Sequence, residues 1–163
     1  MSPVTYDQLR VLYRTLLLFA TVGTVILAIG LIEFVYFEPP GQASGIKAHI
    51  VGVYVYDPAT NQTVGPDRSE FPRSGVFAAV VDWSSLPDSL VVDARWYDSF
   101  GTMEGRAGPG SPSQLASHTI IPVEVPPGFR YVLPGRYTFV VERLKAGLPV
   151  EVLARRFIVV DRT

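Results

Sequence analysis

The chain contains no cysteine. That absence excludes a disulfide framework, a thiolate nucleophile, and cysteine-ligated zinc, haem or iron–sulfur centres. An exported domain without disulfides relies on its core alone, which is ordinary in bacteria, so the composition leans bacterial. Histidine is nearly as scarce, with only His49 and His118. Neither has a carboxylate or a second histidine at helical metal-ligand spacing, and no HExxH, CxxCH or EF-hand loop occurs. No metal and no cofactor is expected. Catalytic motifs are missing too. There is no GxSxG or SxxK, and Ser84-Ser85 sits in turn-forming sequence without a nearby base. Gly105-Arg106-Ala107-Gly108-Pro109-Gly110 is glycine-rich but lacks the Lys and Ser/Thr of a phosphate loop. No catalytic residue is nominated, and neither an enzyme activity nor a small-molecule substrate is expected. Charge of one sign is also lacking, because 14 basic and 15 acidic residues leave a net charge of -1. No global basic field exists to attract nucleic acid.

Hydrophobicity is what the sequence does have, with a mean hydropathy of +0.26. Its excess lies in residues 15–37, TLLLFATVGTVILAIGLIEFVYF, where Glu33 is the one charged residue. As a helix this run spans about 34 Å, the length of a membrane crossing. It is longer than a signal peptide's apolar region and ends in bulky residues rather than a cleavage site. Arg10 and Arg14 precede it, and Tyr6, Tyr13 and Tyr36 suit interfacial belts. The expected organisation is a short cytoplasmic or interfacial helix start (1–14), a transmembrane helix (15–37), a linker (38–47) and an extracytoplasmic β domain (48–163). Thr5 and Gln8 have capping-box spacing, which starts the helix near Tyr6. The positive-inside rule makes this a single-pass protein of the plasma (inner) membrane with a cytoplasmic N-terminus. Ala20, Thr24 and Ala28 form a small-residue stripe beside Gly23, the kind of face on which a second helix docks. Glu33 either reaches the headgroups or faces a partner subunit.

Beyond Pro39-Pro40 the period changes from helical to alternating. Strands are predicted over 48–56, 75–83, 90–97, 119–125, a stretch holding Tyr137, Phe139 and Val141, and 150–160. In the third, Leu90, Val92, Ala94 and Trp96 make one face, and Val91, Asp93, Arg95 and Tyr97 the other, wet one. Pro122 argues for an edge strand. The run Phe157-Ile158-Val159-Val160 suggests a bulge or burial on both sides. Residues 100–117 read as a long Gly/Pro/Ser-rich loop, and long loops are often functional. Trp83, Tyr97, Phe100 and Arg106 are its candidate contact residues.

Trp96-Tyr97 on a central strand, Pro134-Gly135-x-Tyr137 opening a later one, and a final Phe157-x-Val159 give a sequence that resembles bacterial immunoglobulin-like and fibronectin-type-III-like modules. The resemblance covers about residues 48–163. It implies an all-β, antiparallel sandwich in which Trp96 packs in the core and Tyr137 forms a tyrosine corner. The cysteine pair of antibody domains is missing, so only architecture carries over. Together these features describe a non-catalytic accessory subunit of a larger integral membrane complex, with other membrane subunits and the lipid bilayer as partners. Respiratory and photosynthetic electron-transfer assemblies commonly carry such subunits. The alternative is a stand-alone membrane-anchored module holding a peptide, glycan or exported protein.

Overall fold

The computed structural model describes the backbone of residues 6–37 and 43–162, and the side chains of residues 11–27 and 43–162. It separates into two compact units, residues 1–38 and 39–163.

The first unit is helix α1 (Tyr6–Phe37). Leucine, alanine and other apolar residues suit a helix, and its three described threonines, Thr15, Thr21 and Thr24, turn their hydroxyls onto the carbonyls four residues earlier. The sequence-based assignment of a transmembrane anchor is corrected here. Among the described residues no helix is long and apolar enough to cross a membrane. Within the described stretch Arg14 interrupts the apolar run, and a charge inside the hydrocarbon is costly. The inner-membrane location, cytoplasmic N-terminus and extracytoplasmic placement inferred from the anchor fall with it. The cap at Thr5 and the Pro39-Pro40 stop lie outside the described residues.

The second unit contains strands β1 (His49–Asp57), β2 (Gln62–Val64), β3 (Glu70–Phe71), β4 (Phe77–Asp82), β5 (Val91–Tyr97), β6 (Met103–Gly110), β7 (Ile120–Pro122), β8 (Gly135–Lys145) and β9 (Leu148–Val160), with a one-turn helix α2 (Pro112–Leu115). They form two sheets, ordered β2-β1-β4-β7 and β3-β9-β8-β5-β6. Most neighbours are antiparallel, but β3 runs parallel to β9. The expected all-β, antiparallel immunoglobulin-like sandwich behind a membrane helix is therefore corrected to a mixed architecture: an N-terminal helix and two sheets, one combining parallel and antiparallel pairs. The parallel pair arises because the chain reaches the β9 edge from the other sheet, where Val159 N donates to Ser69 O and Asp161 N to Phe71 O.

One apolar cluster draws on both sheets. Phe77 on β4 is its hub: its ring stacks on Phe71 at 4.9 Å and meets Trp96 and Tyr137 edge-on at 5.2 and 5.6 Å. Trp96 and Tyr137 are buried. Trp96 Nε1 donates to Ile121 O across the sheets at 2.9 Å, and Tyr137 Oη donates to Leu133 O at 2.9 Å. These bonds let two polar handles sit in an apolar core without penalty. Asp67 ties the sheets from outside the core, accepting from Val53 N and from Arg156 Nη2, both at 2.8 Å. The described end of the linker is held by Glu151 Oε1, which accepts from Ser44 N at 2.6 Å and Ser44 Oγ at 3.0 Å.

Two further expectations change. The loop predicted over residues 100–117 is instead β6 followed by α2. Its glycines hid the strand because they are there for close approach: at Gly105, with φ 148°, a Cβ would strike the Pro122 carbonyl oxygen, and at Gly108 it would come 2.9 Å from Val92 O. The 157–160 run is neither bulged nor buried on both sides, since Ile158 and Val160 are buried while Phe157 and Val159 are exposed. The register shifts lie upstream, opposite Val141/Glu142 and Arg143/Leu144. Pro122 does stand on an edge strand, β7.

Candidate functional site

The residues that carry charge in an unusual setting lie on the face of the five-stranded sheet turned away from the core. Directly opposed residues in an antiparallel ladder share a face, so the register arranges that face in rows. One row runs Met103, Tyr97, Thr138, Phe157 across β6, β5, β8 and β9. The next runs Arg106, Arg95, Val140, Arg155, and a third pairs Asp93 with Glu142. Arg136 and Val159 face each other beyond Phe157.

Alternation predicted this face to be wet, yet Asp93 is 0% and Glu142 1% exposed. The arginines cover them. Arg95 donates through Nε to Asp93 Oδ2 at 2.9 Å, lies 3.3 Å from Glu142 Oε2 through Nη1, and donates to Tyr97 Oη at 3.2 Å. Arg106 donates through Nε to Asp93 Oδ1 at 3.0 Å and through Nη2 to Oδ2 at 2.7 Å. Such forked, charge-assisted pairing is what allows a carboxylate to leave water. Burial alone would pull the Arg95 pKa down, but its bonds to Tyr97 and Asp93 hold it above the ordinary value. Burial pushes the Glu142 carboxyl up, and the nearby Asp93 charge adds to that while Arg95 opposes it. Burial likewise raises Tyr97. Both carboxylates are engaged by guanidinium, so neither is presented as a general base. What the face offers outward is guanidinium and apolar surface.

At one end of the same domain, Glu104 on β6 is nearly buried, and burial followed by the charges of Asp98 and Glu124 raises its pKa. A carboxyl raised in the folded state binds a proton more readily than in the unfolded chain, so its ionised form costs stability above the ordinary value of 4.5. Glu104→Gln is therefore expected to raise the Tm at pH 8, with the gain shrinking as pH falls through the window just above 4.5 and vanishing below it. Thermal denaturation across pH 4–8 checks this.

The sequence-nominated residues scatter. Trp83 is buried and donates through Nε1 to His118 O at 3.1 Å, so it is a core residue. Tyr97 and Arg106 do share the outer sheet face. Phe100 lies in the β5–β6 turn, 90% exposed. On α1, Ala20 and Thr24 are exposed and Gly23 is half-exposed. The side chains of Ala28 and Glu33 lie outside the described residues. The Asp93–Arg95 pair was legible as charge, but Arg106, Glu142 and Arg155 join it only through strand register, which no local spacing signals. His49 is exposed and 3.8 Å from Asp82, and His118 is exposed beside Ser117. Among the described residues no group of three potential ligands is placed to hold a metal. A cleft of about 690 Å³ opens between β6, α2 and β7, lined by Arg106, Leu115, His118 and Ile120 among others, with no carboxylate on its walls. Neither a family model, nor a curated protein, nor a solved structure matches this chain.

Proposed function

We propose that the chain is a non-catalytic accessory subunit of a larger protein assembly, with α1 as one element that other subunits cover. The observation that carries this reading is the helix surface. Leu12, Leu16, Phe19, Val22, Ile26 and Leu27 are between 49% and 74% exposed, and Leu17, Leu18 and Val25 are exposed as well. These positions fall on every side of the helix, and an isolated surface of that size in water favours association. The β domain is consistent with this reading in that the buried carboxylates Asp93 and Glu142 on its outer face are engaged by guanidinium.

The test is native purification of the full chain, followed by intact-complex mass measurement. Stoichiometric recovery with partner subunits is expected, and placing glutamate at Leu16 and Phe19 together should abolish that recovery while leaving the Tm of the β domain unchanged. Recovery alone, bound only by lipid or detergent or by a second copy, overturns the reading.

A further inference from the structure

We infer that the outer face of the five-stranded sheet docks an acidic, apolar-bearing segment of a protein partner. The inference rests on the reading of the chain as a docking subunit and names the chemistry of one of its contacts. On β5, β6, β8 and β9 this face carries four guanidiniums, Arg95, Arg106, Arg136 and Arg155, over two carboxylates, Asp93 and Glu142. Glu70 adds a third acid at the β3 margin, opposite Val159. Four minus three leaves an excess of one positive charge, in a chain whose net charge is -1. The acids lie underneath and the cations on top, so an approaching partner meets guanidinium first.

The apolar part sits in the middle of that charge. Phe157 is 51% exposed, with the Arg136 and Arg155 guanidiniums 6.0 and 5.8 Å from its ring centre, and Met103 and Val159 are exposed on the same face. The exposed ring beside the exposed Arg136 accepts a side chain of mixed character: an apolar group on the ring, with a flanking carboxylate bridging to the Arg136 guanidinium. Arg106 has its Nε and Nη2 turned down to Asp93, which fixes the plane of its guanidinium at the border of the patch. Single-stranded nucleic acid fits less well. It requires several exposed rings as stacking platforms, and on this face Tyr97 is buried beneath its neighbours, leaving Phe157.

The experiment is fluorescence anisotropy on the full chain in mild non-ionic detergent. The probes are a labelled short peptide alternating glutamate with leucine and phenylalanine, its lysine-for-glutamate counterpart, and an oligouridylate. Saturable, salt-weakened binding of the acidic peptide is expected. Its Kd should rise about tenfold in Arg136→Glu and in Phe157→Ser, the order expected for losing a central contact, and stay unchanged in Arg130→Glu. All three sites are exposed, so the fold survives substitution, and an unchanged Tm confirms it. Absence of saturable binding, equal binding of the lysine peptide, indifference to both substitutions, or tighter binding of oligouridylate overturns the inference. None of those results affects recovery of the complex through α1, so the two readings fail separately.

Discussion

Phe77→Ala is expected to cost about 3–5 kcal/mol of stability, enough to unfold much of a marginally stable domain. Phe77 is fully buried, and its ring touches aromatic partners from three other strands: Phe71 from β3, Trp96 from β5 and Tyr137 from β8. Removing it leaves a cavity where residues of the two sheets and the parallel edge strand meet. The loss exceeds simple transfer of a side chain to water, because three ring–ring contacts of favourable geometry go with it. Urea denaturation followed by tryptophan fluorescence measures the change directly, since Trp96 is one of the affected neighbours. A conservative Phe77→Leu should recover more than half of the lost stability. If Phe77→Ala changes the midpoint no more than an exposed substitution such as Phe100→Ala, the hub assignment is wrong.

Asp93→Asn is expected to have the second largest effect, about 3 kcal/mol, at the low end of what breaking a buried ion pair costs. The amide keeps the shape of the side chain but offers one acceptor oxygen where two guanidiniums converge. Arg95 and Arg106 then repel each other across adjacent strands. Arg106 is partly exposed and recovers some hydration, which is why the lower end applies. Arg95, 18% exposed, recovers little. The double variant Asp93→Leu with Arg106→Met removes one charge of each sign and should be much closer to the natural protein than Asp93→Asn alone. Guanidinium chloride is unsuitable for the comparison because its salt screens the pair, so urea is the denaturant of choice. Equal stability of Asp93→Asn and the natural chain would mean that this carboxylate is not truly desolvated.

How much of this was legible in the sequence depends on range. In β5 the alternation of Val92, Ala94 and Trp96 with Asp93, Arg95 and Tyr97 separates the two faces, because a period of two is a local property, but the face expected to be wet holds buried Asp93 and Tyr97. β6 was not legible. Its three glycines and Pro109 have the composition of a loop, and only the neighbouring Val92 and Pro122 carbonyls explain why side chains are absent there. The two-residue strand β3 and its parallel pairing have no local signature at all. The burial of Asp93 was missed for the same reason, since its second arginine comes from another strand. The apolar stretch in α1 was read from hydropathy, length and flanking residues, and the anchor built on it was the largest expectation to fall. Trp96 and Tyr137 were placed in the core from their positions, and they are there.

The edges of the two sheets carry a consequence of their own. β2 has three residues and β3 two, β7 has three and ends at Pro122, and β6 is interrupted by Pro109 and glycines. An exposed ladder invites another copy to add a strand, and each of these margins is too short or too broken to serve as a template. A second copy meeting any of these four strands therefore finds no long ladder to extend. Pro122→Val would return a ladder donor to one margin, and with it raise the tendency of crowded copies to fuse.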